Sequence, residues 1–334
     1  MIKLLAGARL SPGGLHMGHY IGNFLPYHDF EGSKEYCFVI KDTEPILWAS
    51  KKEKEKVLVG MASDVLSLPF SNSIKVTTTS RIHPHAYDLN SLLLDEISYS
   101  TLISTHFKKN DFRSGKTTQS VKNFLFPIDE VLTLLSLNTD FFVSNDDNKR
   151  IELFCRDVAK KLNKKLQMDA FKIVSLKSNK NVSRLLGCDY KRMCKANSNI
   201  IGFNEPENDL LSKLRTITSR RYFFNAYPEE LEKSQEQVEN YALPPHYLPF
   251  VLLSIFLDAQ ISEEERRIYS EANSRDLLVE HLFNAVNSHF KITRDKKAEL
   301  LLDPNGIIRR IENDSLELGE TIEKFLQPIK DNLV

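Results

Sequence analysis

Residues 2–20, IKLLAGARLSPGGLHMGHY, determine the fold class of this chain. The apolar run at residues 2–6 predicts a β-strand that ends at Gly7, residues 11–14 predict a loop, and residues 15–30 predict a helix. Further strands are predicted at residues 35–40 and 74–78, with a helix at residues 51–68 between them. Strands that alternate with helices form a parallel sheet with right-handed crossovers, so we expect an α/β fold of Rossmann type.

The remaining pattern is mostly helical. Residues 83–163 favour helices, apolar at 123–137 and amphipathic at 146–162, and residues 173–176 predict one more strand. After residue 207 no strand is predicted, and helices are expected at residues 210–216, 228–241, 247–259, 262–290 and 296–302. We therefore expect a Rossmann-type domain at residues 1–198, with a helical insertion at about 83–165, and an all-helical domain at 199–334.

Composition excludes several classes of protein. The 334 residues are 41% hydrophobic, and 45 Lys and Arg balance 45 Asp and Glu, so a strongly basic nucleic-acid coat is absent. Four cysteines without a CxxC pair argue against a zinc site. The longest apolar run, residues 248–256, is too short for a membrane span, and no secretory signal is recognised, so we expect a reduced, cytoplasmic protein. The charged run at residues 51–56 is expected to be a solvated helix face.

The loop before the first long helix carries the first chemical signal. Gly13, Gly14 and Gly18 let an anion approach the backbone where a helix begins, and helix N-termini attract anions. His16 and His19, three residues apart, could both donate to phosphate oxygens. A capped helix with two surface histidines explains the same residues.

This loop resembles the HIGH signature of class I aminoacyl-tRNA synthetases. The flanking residues 6–13 and 20–23 are similar to the tryptophanyl and tyrosyl branch. Further similarity to the tryptophanyl enzymes runs through residues 105–108, 115–116, 138–140, 147–148 and 156–163, and covers about residues 2–220. The resemblance implies amino-acid activation with ATP and Mg²⁺, transfer to tRNA, nucleotide contacts from Gly7 and Gly18, and a homodimer formed through residues 80–165.

A second segment, residues 192–196 (RMCKA), resembles the KMSKS loop of that class. The resemblance implies that Lys195, with Arg192, meets the β- and γ-phosphates of ATP, and that the Met193 backbone contacts adenine. Arg192 keeps the charge of the family's first lysine but not its geometry, because guanidinium is a planar fork. Cys194 and Ala196 replace the two serines.

The amino-acid pocket implied by the resemblance departs most from the family. Phe126 stands where a Tyr hydroxyl meets the substrate ammonium, Glu130 replaces a Met, and Thr133 replaces the Asp that reads the indole N–H. Asp147 is kept for the ribose, and Asn148 replaces a Gln. Burying a carboxylate is energetically costly unless it is paired. Glu130 therefore suggests a cationic or polar substrate, or else it faces solvent or a neighbouring helix.

Three functions therefore compete. The first is a divergent tryptophanyl-tRNA synthetase, and the second is a synthetase-like paralogue that adenylates a different amino acid for a specialised pathway. The third is a non-catalytic protein that binds a nucleotide or tRNA. Two sets of basic residues are candidates for tRNA contact, although ordinary solvated helix faces explain them equally well: Lys213, Arg215, Arg220 and Arg221, and Lys160, Lys161, Lys164 and Lys165.

Overall fold

The structure is a computed structural model. It describes residues 2–30, 34–43, 48–106, 121–143, 149–176, 185–191, 193, 198–227, 243–271 and 274–331. Contacts divide the chain into two compact units. The first contains residues 1–14, 22–179 and 300–334, and the second contains residues 15–21 and 180–299. No described helix is both long and apolar enough to cross a membrane.

The first unit is built on a parallel sheet, as predicted. Its five described strands are β1 (Ile2–Arg9), β2 (Lys34–Lys41), β3 (Ile74–Thr78), β4 (Phe141–Val143) and β5 (Ser175–Leu176). Their order is β3-β2-β1-β4-β5, and every recorded pairing is parallel. The β2 run is buried through its centre, which is why its sequence is continuously apolar. Strand β4 was not predicted, because three apolar residues after a helix give no distinct period.

Helices complete the first unit. They are α2 (Leu25–Asp29), α3 (Lys51–Leu66), α4 (Thr79–Ile82), α5 (Tyr87–Glu96), α6 (Tyr99–His106), α7 (Val121–Ser136), α8 (Lys149–Leu166) and α14 (Pro304–Asp331). Helix α3 begins where the Ser50 hydroxyl accepts the Glu53 N–H at 3.1 Å. Residues 51–56 form its solvated face as predicted, with Lys54 pairing with Asp42 at 3.0 Å.

The second unit is helical and has an aromatic core. Its helices are α1 (Met17–His19), α9 (Glu207–Ile217), α10 (Arg220–Ala226), α11 (Leu248–Phe256), α12 (Glu263–Ser270) and α13 (Arg275–Leu300, whose last residue belongs to the first unit). Tyr20 is buried against Phe290, with ring centroids 4.8 Å apart, and its hydroxyl lies 2.6 Å from His289 Nε2. The Met17 N–H donates to the Ile201 carbonyl at 2.8 Å, which fixes the start of α1.

Three predicted helices differ from the observed ones, and α14 was not predicted at all. The helix predicted at residues 228–241 lies outside the described residues. The segment predicted as one helix at residues 15–30 contains a π-helical turn at Tyr20–Phe24 between α1 and α2. The helix predicted at residues 262–290 is two helices, because α12 ends at Ser270 and α13 begins at Arg275. The helix predicted at residues 296–302 is not separate, because α13 continues to Leu300.

The last helix packs on the sheet of the first unit. Strand β3 is an edge strand, and Asp314 of α14 accepts its Val76 N–H at 2.9 Å while Ser315 meets Thr77 at 2.7 Å. The outer side of an edge strand has backbone N–H groups without partners in the sheet. A helix that covers this edge can supply hydrogen-bond acceptors for them. The compact units therefore differ from the expected domains at 1–198 and 199–334, although every regular element described after residue 198 is a helix.

Candidate functional site

The histidines predicted to contact phosphate lie at the start of α1. His16 precedes the helix with extended backbone, and its Nδ1 accepts the Gly18 N–H at 3.1 Å. His19 Nδ1 in turn accepts the His16 N–H at 3.2 Å, and the ring centroids are 3.9 Å apart. Their spacing therefore produces a reciprocal cap, in which each ring accepts a backbone N–H.

These bonds determine which nitrogen of each ring carries the proton. A ring nitrogen that accepts a hydrogen bond bears no proton, so in both neutral rings the proton is on Nε2. Two neighbouring Nε2–H donors can meet oxygens on which negative charge develops. The cap uses Nδ1 and a phosphate contact would use Nε2. The two interpretations of His16 and His19 in the sequence are therefore compatible.

Met193, the described residue of the second predicted motif, lies close to the first motif. A Cβ atom placed on Gly18 would be 3.0 Å from atoms of the His16 ring and 3.8 Å from Met193 Sδ. Met193 is itself buried. All three residues belong to the second unit, so the residues of the HIGH-like and KMSKS-like segments meet within one compact unit. Arg192 and Lys195, the predicted phosphate-binding cations, lie outside the described residues.

In the first unit, the carboxyl ends of the strands carry a separate group of candidate site residues. The sheet extends in one direction from β1 to β3 and in the other from β4 to β5, and ligands of α/β proteins bind at such a reversal. A Cβ atom on Gly7 would lie 2.6 Å from the Val39 carbonyl oxygen and 3.3 Å from Lys41 Cε. Gly7 therefore has a packing reason to be glycine, besides its predicted nucleotide contact.

Three predicted pocket residues share one face of α7, because Phe126, Glu130 and Thr133 follow helical spacing. Glu130 is 7% exposed and Thr133 is 5% exposed. The Glu130 carboxylate oxygens lie 2.5 Å and 2.6 Å from Lys41 Nζ, which also lies 6.0 Å from the centroid of the Phe126 ring. The charge of Glu130 is thus compensated by a cation from the carboxyl end of β2.

Thr133 is held by two hydrogen bonds. Its hydroxyl donates to the Asp129 carbonyl at 2.8 Å and lies 2.9 Å from His83 Nε2. Because the hydroxyl proton is used, His83 must donate from Nε2, and its Nδ1 carries a lone pair. Burial lowers the pKa of His83 to about 4, against a smaller opposing effect of Asp42, so the ring is neutral at pH 7. Thr133 therefore offers a substrate a lone pair and no proton.

Lys41 and His83 were not predicted as site residues. Lys41 directly follows the apolar part of a predicted strand, at the edge where parallel sheets bind ligands, and this position is the signal that could have identified it. His83 comes only after α4, so its position relative to a predicted strand is a weaker signal. Asp147 and Asn148 lie outside the described residues, so their contacts with ribose and amino acid stay predictions.

The described cysteines carry no nucleophilic chemistry at neutral pH. Burial raises the pKa of the Cys37 and Cys155 thiols well above the usual range, and it raises that of Cys188 to about 11. A protonated thiol is a poor nucleophile. Within the described part of the chain, no three His, Cys, Asp or Glu side chains are grouped to hold a metal ion.

Synthetases are among the solved structures that share this fold. No family model and no curated protein sequence matches the chain. The tryptophanyl-tRNA synthetase from Campylobacter jejuni complexed with ADP and tryptophan superposes with a TM-score of 0.73 at 18% identity, covering 99% of both chains. The tryptophanyl-tRNA synthetase from Mycoplasma pneumoniae gives a TM-score of 0.75 at 14% identity, covering 100% of this chain and 98% of that one.

A tyrosyl-tRNA synthetase is similar over a smaller part. The enzyme from Archaeoglobus fulgidus, complexed with L-tyrosine, gives a TM-score of 0.56 at 15% identity, covering 89% of this chain and 90% of its own. At these identities the likeness concerns the fold. It confirms the Rossmann-type architecture that the motifs implied, and the chain has the fold of the tryptophanyl-tRNA synthetases.

Proposed function

We propose that this chain activates an amino acid with ATP and transfers it to tRNA. In the first step a carboxylate oxygen of the amino acid attacks the α-phosphorus, the bond to the bridging oxygen breaks, and pyrophosphate leaves. Such chemistry needs positioning and charge stabilisation from the protein rather than a covalent intermediate. The observation that carries the proposal is the pair of Nε2–H donors of His16 and His19, on a fold shared with synthetases.

The proposed nucleotide contacts follow from the two motifs. His16 and His19 donate to phosphate oxygens as charge grows on them, while Arg192 and Lys195 meet the β- and γ-phosphates. Gly18 leaves room beside the histidines, and the Met193 backbone contacts adenine. Gly7 and Asp147 are the other nucleotide contacts, Asp147 through the ribose hydroxyls. Mg²⁺ arrives with ATP, held by phosphate oxygens and water, and neutralises phosphate charge.

The pocket favours a second candidate within the same class, a paralogue that adenylates an amino acid other than tryptophan. Phe126, Glu130, Thr133 and Asn148 are the proposed contacts of the amino acid. A neutral hydroxyl at residue 133 accepts a hydrogen bond more weakly than a carboxylate, because charge-assisted bonds are about twice as strong. The N–H of an indole would therefore be held less tightly here.

We further propose a homodimer and a tRNA contact. Helices α5 and α6 expose apolar side chains, with Tyr87 at 70%, Tyr99 at 67% and Leu94 at 52% exposure, which suits an interface. Of the basic candidates, Lys165 pairs with Glu96 and Lys213 with Glu205. In the described part of the chain, the exposed candidates without a recorded ion pair are Lys160, Lys161, Lys164, Arg215 and Arg221. These exposed residues of both sets are therefore the stronger candidates for contact with phosphates.

The test is amino-acid-dependent exchange between ATP and pyrophosphate, with each standard amino acid, first without tRNA and then with it. Lys195→Ala is expected to remove the exchange, and Lys191→Ala, an exposed lysine four residues away, is the matched control. Exchange with tryptophan alone supports the tryptophanyl function, and exchange with another amino acid supports the paralogue. Absence of exchange with every standard amino acid, with and without tRNA, contradicts activation of standard amino acids and favours a binding protein.

A further inference from the structure

The Lys41–Glu130 ion pair lies at the carboxyl edge of the sheet, beside Gly7. The side chains are 19% and 9% exposed, and Lys41 Nζ approaches both carboxylate oxygens, at 2.5 Å and 2.6 Å. The Lys41 side chain passes over Gly7 of β1 and reaches α7 near Phe126. A pair of opposite charges therefore lies on the face of α7 that carries the predicted amino-acid contacts.

Stability alone is a weak explanation for this pair. Removing two charges from water is expensive, and apolar residues of similar size often stabilise such positions equally well. An ammonium has three donors and a carboxylate about four acceptor positions. Among the described residues, each of these two side chains has its partner as its one hydrogen-bond contact, so both retain capacity for a ligand.

Another ion pair in the same sheet shows the contrast. Lys75 of β3 pairs with Glu35 of β2 at 2.7 Å and also with Glu317 at 3.1 Å. This pair lies toward the amino ends of the strands, away from the edge where α/β sheets bind ligands. Its lysine is neutralised by two carboxylates, and it therefore provides a control of similar exposure and chemistry.

We propose that Lys41 and Glu130 bind the head group of the amino acid, Lys41 its α-carboxylate and Glu130 its α-ammonium. The inference rests on the proposed function. A zwitterionic head group has one positive and one negative charge, so it can enter the pair without leaving an uncompensated charge. Phe126 has no hydroxyl for the ammonium, and Glu130 lies one helical turn further on the same face.

This arrangement also fits the reaction. Lys41 holds one carboxylate oxygen, and the other attacks the α-phosphorus as the bond to pyrophosphate breaks. The carboxylate then becomes a neutral acyl group, which weakens its attraction to Lys41. The ammonium keeps its charge throughout, so Glu130 continues to hold the aminoacyl adenylate until transfer.

Three probes test the assignment separately: L-tryptophan, tryptamine, which lacks the carboxylate, and indole-3-propionate, which lacks the ammonium. If another amino acid drives exchange, the three probes are that amino acid, its analogue without the carboxylate and its analogue without the ammonium. We expect Lys41→Met to weaken binding of the amino acid and the propionate about tenfold to a hundredfold and not to weaken binding of the amine, because Glu130 then has no competing cation. We expect Glu130→Gln to weaken binding of the amino acid and the amine similarly and not to weaken binding of the propionate, because Lys41 then has no competing anion. Calorimetric titration without ATP measures all three.

Lys75→Met is the matched control and should leave all three affinities unchanged. The double variant Lys41→Glu/Glu130→Lys keeps an ion pair of reversed polarity, so it should fold, shown by its circular dichroism, yet lose the amino acid. Equal weakening of all three probes in Lys41→Met, or wild-type affinity in the reversed pair, would overturn the assignment. If the wild-type protein catalyses exchange and the Lys41 and Glu130 variants bind the probes as Lys75→Met does, the head-group assignment fails while the proposed function stands. Absence of exchange and of probe binding in the wild type rejects the proposed function.

Discussion

The substitution His16→Asn separates two tasks that the structure gives to one ring. His16 Nδ1 accepts the Gly18 N–H at 3.1 Å and so caps the helix, while the Nε2–H is the proposed phosphate donor. Asparagine is among the best N-capping residues, and its amide oxygen can accept the same N–H. Its shorter side chain does not place a donor where Nε2 is. His16→Ala removes both the cap and the donor.

The expected magnitudes follow from these contacts. Loss of one donor to a developing oxyanion lowers kcat by roughly 10²–10³-fold, so both variants should lose this much in the exchange assay. Loss of the cap lowers the free energy of unfolding by about 1 kcal/mol, so His16→Ala alone should show a lower urea midpoint. The KM for the amino acid should change little in both variants.

Two results would refute this reasoning. Near-wild-type kcat in His16→Asn would show that Nε2 of this ring contacts no charge in the transition state. Equal stability of His16→Asn and His16→Ala would show that the bond to the Gly18 N–H contributes nothing to folding. His28→Asn, at an exposed histidine of α2, is the control for the substitution itself.

Four further predictions follow from the first unit. Burial holds the pKa of His83 at about 4, so between about pH 6.5 and pH 4 the unfolded chain binds more protons than the folded chain. The free energy of unfolding therefore decreases as the pH is lowered through this range. His83→Gln should reduce that fall by on the order of 2 kcal/mol, measured by urea unfolding at pH 7 and pH 4.5. Thr133→Val removes the acceptor in the pocket and should raise the KM about tenfold with little change in kcat, for a substrate whose side chain donates a hydrogen bond. Asp314→Ala leaves the buried Val76 N–H without its acceptor and should lower the free energy of unfolding by about 2–3 kcal/mol, whereas Asp314→Asn should lower it less. Tyr99→Glu should convert a homodimer to a monomer of 38.4 kDa in sedimentation equilibrium, and a dimer of unchanged stability would place the interface elsewhere.

The sequence predicted the fold where its pattern is long. Strand β3 has the predicted limits, and β2 extends one residue beyond its prediction at each end, because a buried parallel strand is a continuous apolar run. Strand β5 has two residues of the four predicted. Helix α14 was not predicted, although its buried residues follow a helical period, and that period alone does not show that the buried face covers β3. That contact joins residues 238 positions apart, Val76 and Asp314.

The candidate site shows the same limit. The spacing of His16 and His19 predicted a paired function, because both partners lie within one helical turn. The bonds that fix their protons depend on backbone coordinates and could not be predicted. Lys41 and Glu130 are 89 positions apart in the chain, and His83 and Thr133 are 50 apart. The pattern of a single sequence therefore does not indicate that either pair is in contact.

Charge compensation in the pocket restricts the side chain of the substrate. Glu130, considered alone, suggested a cationic or polar amino acid. In the structure its charge is balanced by Lys41, and a head group bound between them keeps that balance, so no carboxylate of this pair remains for a cationic side chain. Thr133 offers a lone pair beside a neutral His83. We therefore expect a neutral side chain with a hydrogen-bond donor, and exchange driven by lysine or arginine would contradict this argument.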